Sequence, residues 1–581
     1  MNANFLSVLR RFKMATALNV LGLSVAFAAF MMIMMQLDYD YMFDRGHPHA
    51  DCIYRLEPGN VMGIDRLSVA SRPLLEAFAQ SSPHILGGAM LNLMAGETMF
   101  LSVERNGARE FFEEKAYNVS PGYADVFSFD MLEGDARALD EPAKVLIPES
   151  LARKLFGSEP ATGRLLTTTE EGQTYTVGGV FRDFPPNAST ANGIYYPIPP
   201  EQNLHNWGNW NYASYIRVDA SENVAGLFEN FRRTFDASVL PEGFPLGEGG
   251  LTVQLTPLPE VHFSTGVYYD KAPKSSRQTL LILLGVALVI VTIAGINYTN
   301  FSAALTPKRI RSINTQKVLG GDERLIRFAL VMEGVSVAFV SFLLALLWVT
   351  LAGDTPVASL VDADVSPSAH PGLTALTGGV ALATGLLAGL WPARYMTSFP
   401  TALTLKGSFG LSPRGRRLRN VLVGLQFIAS FALVTGASFM YLQNRFMQHT
   451  SLGFGKDQLV VTTLNGNVGK SLDAFGSRLK SFAGVEGVTY SDFLLSGGDT
   501  FQEWMREYRD KQISFQCLPV APSFPEVMEI GLTEGRSFRP EDAQTPRGAF
   551  VFNEKARAAY GLELNERISG VEIIGFIPDV K

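Results

Sequence analysis

One carboxylate stands out by its position. Glu333 lies inside an apolar run, Phe328 to Gly353, that carries no other charge. A charge at mid-bilayer costs about 2.5–3.5 kcal/mol on insertion scales, so Glu333 is expected to face protein or to meet a base such as Lys317. Bases are plentiful just upstream: Lys308, Arg309, Arg311, Lys317, Arg324 and Arg327 stand against only Asp322 and Glu323. The chemistry these residues offer is ion pairing and attraction to lipid headgroups, not bond making. Gly466-Asn467-Val468-Gly469-Lys470-Ser471 ends like a phosphate-binding loop, but Leu464 stands where that loop needs its first glycine. Trp207, Trp210, Tyr212 and Tyr215 suit a domain core or sheet edge better than a ligand site. The histidines are scattered, with His47 and His49 a weak pair. No Ser/His/Asp set, paired carboxylates, CxxC or His/Cys cluster stands out, so no catalytic residue, cofactor or metal is expected.

The elements that hold Glu333 and its bases follow from composition. Charged residues make up 18% of the 581 residues, against about a quarter in a soluble protein. The apolar excess is concentrated in five runs, each near the 20 or so residues that cross a bilayer as a helix. Arg10, Arg11 and Lys13 precede the first run as they would in a signal peptide. That run is about twice the length of a signal core, so a retained anchor is expected. Basic loops stay in the cytoplasm, and three segments are rich in Lys and Arg: the amino terminus, the connection between spans two and three, and the connection between spans four and five. The connection between spans three and four has Asp354, Asp362 and Asp364 and no base. The amino terminus is therefore expected inside and the two large segments outside. A net charge of −7 without a basic domain argues against nucleic acid. Cys52 and Cys517 fall in different outer segments; unreactive thiols are the simpler expectation, with a disulfide between them left open.

The chain repeats itself. Asn19-Val20-Leu21 matches Asn420-Val421-Leu422, and the same offset aligns Val119, Pro121, Tyr123, Val126, Glu133 and Gly134 with Val520, Pro522, Phe524, Val527, Glu534 and Gly535. With small gaps, Glu149, Phe156, Gly157, Gly179 and Asp183 fall on Glu554, Tyr560, Gly561, Gly575 and Asp579. Two copies of one module, each a span followed by an outer domain, account for this. The second copy is expected to continue beyond Lys581, with roughly 200 residues and three further spans. Strands are expected at Val145–Ile147, Thr174–Val180, Tyr212–Val218 and Leu251–Leu255. One helix is expected after a Ser221 cap, with Val224, Leu227, Phe228, Phe231 and Phe235 on one face, and another around Leu74, Leu75 and Phe78. The fold class is thus membrane α-helical with five transmembrane helices, plus two α+β extracytoplasmic domains in tandem repeat.

Between the second and third runs, Thr306 and Pro307 open a short basic helix, Gly320-Gly321 ends it, and Asp322 caps the next. Ile310, Ile313 and Leu319 are available for one of its sides. Plain anchoring to lipid headgroups is the alternative role for such a helix.

Lys317-Val318-Leu319-Gly320, preceded by Arg309 and Ile313 and followed by Leu325 and Glu333, resembles the cytoplasmic signature of FtsX-like, MacB-type permeases of ABC transporters. Gly389-Leu390-Trp391-Pro392-Ala393 with Pro400 and Leu405-Lys406-Gly407 resembles that family's segment after span four. Arg419-Asn420 with Gln426-Phe427 resembles the start of its second half. Leu132-Glu133-Gly134-Asp135, Glu141-Pro142 and Leu155-Phe156-Gly157 resemble its periplasmic core domain. Asn314-Thr315-Gln316 departs from the Gly-Ile-Arg common in the family.

The resemblance implies a non-enzymatic permease in a bacterial inner membrane, docking a cytoplasmic ABC ATPase in trans through Arg309, Ile313, Lys317, Val318, Leu319, Gly320 and Glu333. It implies a dimer with itself or a homologous permease, and a periplasmic partner protein. The implied work is efflux, export or lipoprotein handling. The alternative is regulation of a periplasmic partner, such as a cell-wall hydrolase, without a transported substrate. The division expected is an amphipathic cytoplasmic segment at 1–13, spans at 14–37, 278–300, 325–351, 373–395 and 419–442, and a periplasmic core domain at 38–277. A coupling segment at 301–324, a periplasmic loop at 352–372, a cytoplasmic linker at 396–418 and an incomplete second core domain at 443–581 complete it.

Overall fold

The structure is a computed structural model that describes residues 13–61, 63–95, 98–105, 107–169, 172–241, 244, 246–304, 306–398, 413–495, 502–509, 511–545 and 548–580. The amino-terminal segment before Lys13 and residues 399–412, with Pro400 and Leu405-Lys406-Gly407, lie outside the described residues. Two compact units result, one of residues 1–97, 115–164 and 176–439, the other of 98–114, 165–175 and 440–581.

Five helices among the described residues are long and apolar enough to cross a membrane: Thr16–Tyr41, Arg277–Ala304, Glu323–Ala352, Pro371–Thr397 and Arg419–His449. The first four pack around Phe27, Met31, Met35, Ala294, Tyr298, Val337, Ala338, Ala345, Ala381 and Ala388. Lipid tails are as apolar as leucine, so such helices associate by close packing, and small residues let their backbones approach. Spans three and four do this through Gly334 and Ala338 on one side and Gly385 and Gly389 on the other; a Cβ built on Gly385 would lie 2.8 Å from the Ala338 Cβ. Thr299 adds a hydroxyl hydrogen bond from span two to the Ala388 carbonyl, 3.2 Å. The fifth span buries none of its apolar window within the chain.

The domain after the first span is a mixed α/β fold. Its strands are β1 (Ile53–Gly59), β2 (Val69–Ala70), β3 (Ile85–Asn92), β4 (Thr98–Arg105), β5 (Ala108–Val119), β6 (Met131–Gly134), β7 (Lys144–Pro148), β8 (Leu165–Thr168), β9 (Thr174–Phe181), β10 (Ile194–Pro197), β11 (Tyr212–Val218) and β12 (Thr252–Pro257). β3, β11, β1 and β12 run antiparallel in that order. β7 runs parallel to β9 and reads Val-Leu-Ile because both its faces are buried. β4 and β8 belong to the second unit and pair with each other there. Helix Arg72–Gln80 lays Leu74, Leu75 and Phe78 into the core, as their spacing requires.

The helix expected from a Ser221 cap begins later. Ser221–Gly226 is a 3-10 turn without a side-chain cap, and the α-helix runs Leu227–Thr234. Tyr212 and Tyr215 are buried in β11, Trp207 packs on Phe235, and Trp210 stacks on Phe244, so this aromatic group is core.

The second unit carries β13 (Gln502–Tyr508), β14 (Lys511–Cys517), β15 (Glu534–Gly535), β16 (Phe550–Asn553), β17 (Arg567–Ile568) and β18 (Val571–Ile577). Several of its local contacts have counterparts in the first domain. Gly134 pairs antiparallel with Gly179, and Gly535 with Gly575. Leu146 lies parallel to Gly179, and Val551 to Gly575. Gly134 and Gly535 both take positive φ, where a side chain is strained, and a Cβ on either would strike the neighbouring strand. The Ser150 amide donates to Asp183 at 3.0 Å and the Lys555 amide to Asp579 at 2.9 Å. The Gly466–Gly469 segment is one short helical turn capped by Asn465. Both cysteines are free and half-buried.

Candidate coupling site

The basic helix runs Thr306–Val318, Gly320 turns the chain at φ +89°, and Asp322 caps span three by accepting from the Arg324 amide at 2.9 Å. A Cβ at Gly321 would lie 2.8 Å from the Gln316 carbonyl, so both glycines are needed for this tight reversal. Folding back at Gly320-Gly321 sets residues at equal distances from the turn side by side.

That register decides the ion pairs. Arg309 and Glu333 stand about equally far from the turn and form a fork, Nη1 donating to Oε2 at 3.0 Å and Nη2 to Oε1 at 2.8 Å. Glu333 thus meets a base, as one of its two expectations had it; the base is Arg309 and not Lys317, which is too near the turn. Lys317 donates instead to the Thr397 carbonyl at the end of span four and pairs with Glu323 at 3.3 Å. Arg327 reinforces this corner, donating to Thr397 Oγ1 at 3.2 Å and to Glu323 at 2.7 Å. The basic helix is thus tied to spans three and four by charge.

Its apolar residues divide sharply. Ile310 and Ile313 are 2% and 5% exposed, whereas Val318 and Leu319 are 72% and 81% exposed. Ile313 therefore packs the helix in place, and Val318 and Leu319 stand exposed at the turn, as does Leu325. Bidentate Arg–carboxylate pairs hold orientation as well as position, so the helix is held in orientation against span three.

At the opposite end of the bundle the first domain is fastened to spans one and two. Asp40 Oδ1 lies 3.0 Å from His262 Nε2, and the ring of Phe43 stacks on His262 at 3.9 Å. His262 Nδ1 lies 2.8 Å from the Pro273 carbonyl. Asp44 accepts from the Ser189 amide at 2.5 Å and its hydroxyl at 2.6 Å. Burial pushes the Asp44 carboxyl up to about 6 against those hydrogen bonds, and it pushes the neighbouring His47 down to about 4. Arg277, at the start of span two, donates to both oxygens of Glu260 at 2.6 and 2.5 Å. Gln36 accepts from the Asp362 amide at 2.7 Å, tying span one to the loop between spans three and four.

Sequence reading missed this joint. Asp38, Asp40 and Asp44 crowd the exit of an apolar run and could have signalled it; nothing local marks His262. Inside the domain Arg55, 1% exposed, is satisfied by Glu57 at 2.6 Å and Asp270 at 2.8 Å.

The membrane bundle is thus tied by charge at one end and to a domain at the other. Residues 16–233 match the model of the MacB-like periplasmic core domain, and residues 284–401 match that of the FtsX-like permease C-terminal domain. The chain belongs to the FtsX/MacB-type permeases of the ABC transporter permease family, and is a membrane protein with a periplasmic domain. No curated protein matches it.

Solved structures that resemble it include a domain assigned as a permease protein from Porphyromonas gingivalis, at 25% identity over 41% of this chain and 99% of that one, TM-score 0.31. The extracellular domain of the noncanonic ABC-type transporter YknZ from Gram-positive bacteria matches at 13% over 35% and 99%, TM-score 0.24. The periplasmic region of MacB from Actinobacillus actinomycetemcomitans matches at 16% over 36% and 90%, TM-score 0.25.

Proposed function

We propose that this chain is the permease subunit through which a separate cytoplasmic ABC ATPase moves a periplasmic domain, for efflux, export or lipoprotein handling in a bacterial inner membrane. The observation that carries this reading is the basic helix Thr306–Val318, clamped to span three by Arg309–Glu333 and to span four by Lys317, with Leu319 exposed at its end. A push on Leu319 reaches spans three and four through those ties, while Asp40–His262 and Arg277–Glu260 join spans one and two to the domain. The reading includes a dimer with itself or a homologous permease. It also takes the second unit as a second copy of the first module, which the paired Gly134/Gly535 geometry and the two amide–Asp hydrogen bonds support.

Burying a large apolar side chain stabilises a contact by about 2 kcal/mol, so its loss corresponds to a roughly thirty-fold weaker complex. Leu319→Asp should therefore reduce capture of the partner ATPase by that factor while the chain inserts normally. Capture at the parental level would leave the helix as a surface anchor only. Orientation has its own check. Single cysteines at Ser312, Ser359 or Ser471, all exposed, are placed in a Cys52→Ser, Cys517→Ser background. In spheroplasts an impermeant maleimide should label the last two and spare the first; labelling of Ser312→Cys from outside would reverse the topology.

A further inference from the structure

His262 stands where the first domain meets both of its spans. It follows the short helix Leu258–Val261 and opens the strap, residues 263–276, that leads into span two. Its ring is 3% exposed and stacks on Phe43, just beyond span one. One ring nitrogen meets the strap and the other meets span one. Nδ1 lies 2.8 Å from the Pro273 carbonyl, and Nε2 lies 3.0 Å from Asp40 Oδ1. Gln36 donates to the other oxygen of Asp40 at 3.1 Å.

These contacts fix a proton count. A carbonyl oxygen only accepts, so Nδ1 carries a hydrogen. An uncharged imidazole has a single N–H, which would leave a lone pair on Nε2 facing the carboxylate. The contact with Asp40 therefore needs one more proton, on Nε2 or on the carboxyl. An imidazole opened to water gives up that proton above about pH 6.5.

We propose that Asp40, His262 and Pro273 form a proton-held latch between span one and the strap to span two, closed in acidic and neutral surroundings and released as the periplasmic side turns alkaline. Opening in that range releases one proton. Each rise of one pH unit then favours the open joint by up to about ten-fold, until the closed joint gives up its proton too.

The charged groups around the latch are paired or have finished titrating. Glu260 pairs with Arg277, and Asp270 with Lys274, which also donates to the Val261 carbonyl. Gln36 lies between Asp40 and Asp362 and donates to both, and Tyr39 donates to the Pro186 carbonyl. Burial sets Asp44 at about 6 and His47 at about 4. Above about pH 7 the first is ionised, the second is neutral, and neither changes further. Burial also pushes Lys274 down, so its titration must be separated from that of the latch.

As a control on coupling, the latch rests on the reading of the chain as a permease. As a pH-dependent joint it does not, and its test needs no ATPase. Spin labels are attached at Met42→Cys, just outside span one, and Thr265→Cys, on the strap, both exposed positions. The full chain also carries Cys52→Ser and Cys517→Ser and is held in nanodiscs. Between about pH 7 and 9, pulsed dipolar spectroscopy should show a second, longer separation whose population grows several-fold per unit. Asp40→Asn keeps the size of the side chain, offers an N–H to Nε2 of the uncharged ring and retains an oxygen for Gln36. It should hold the joint closed at every pH, whereas a slope that came from Lys274 would persist in it. A parental separation that stays the same from about pH 6 to 9, or an equal slope in Asp40→Asn, would overturn the latch. An intact pH response in a chain that fails to alter ATP hydrolysis would sink the coupling reading and spare the latch.

Discussion

Gly385→Leu is expected to prevent spans three and four from assembling, and Gly385→Ala to destabilise them measurably. A Cβ at this position would already lie 2.8 Å from the Ala338 Cβ, 2.8 Å from the Gly334 carbonyl oxygen and 2.9 Å from the Val335 Cα. Two of those three atoms are backbone, which cannot swing aside, so the helices must separate. Overpacking of this kind costs about 1–3 kcal/mol for a small addition, and leucine adds three more carbons in the same place. Gly379 lies on the same span with nothing within 4 Å of its Cβ position, so Gly379→Ala should fall within about 0.5 kcal/mol of the parent. Thermal unfolding in detergent, read as retention of the monodisperse peak after heating, distinguishes the two. Equal behaviour of Gly379→Ala and Gly385→Ala would mean that small-residue contact does not hold this pair of spans.

The second large effect is expected at Arg309 and Glu333. Their side chains are 15% and 20% exposed, and Arg309 Nε is buried without a hydrogen-bond partner, so little water is available to replace a lost partner. Breaking a buried pair from one side leaves an uncompensated charge and costs about 3–5 kcal/mol. Arg309→Met and Glu333→Met should each lose about that much. The double variant should recover most of it, because a pair of apolar groups of similar volume avoids the desolvation that the ions undergo. The double-mutant cycle is read from the same thermal assay. A double variant no better than the worse single one would show that the helix is held by something other than this pair.

How much of this was legible in the sequence differs by element. The spans were, because about twenty apolar residues in a row leave little else to do. Their ends were not: the first helix runs on through Asp38 and Asp40 to Tyr41, since Asp40 finds His262 from a segment more than two hundred residues away. The basic helix and its glycine stop were legible from Pro307, Gly320 and Gly321, whose backbone preferences act locally. That Glu333 would meet a base was legible; which base was not singled out, although the information was present. Lys317 is nearer in sequence, but helices that reverse at a turn bring together residues at equal distances from it, and that rule selects Arg309. The same folding-back buries Ile313, which spacing alone had grouped with Leu319 on an available side. The domain joint drew on contacts with no sequence period at all, and only the crowding of carboxylates after span one hinted at it.

The central claim is that hydrolysis by a separate ATPase is coupled to this chain through the turn after the basic helix. It is tested most directly by reconstituting the chain with the partner ATPase in nanodiscs and measuring ATP hydrolysis beside the free ATPase. The parental chain should change the hydrolysis rate, Leu319→Asp should abolish that change at concentrations that saturate the parent, and Gly379→Ala should preserve it. A hydrolysis rate that the parental chain leaves unaltered, or that responds equally to the parent and to Leu319→Asp, would contradict the account.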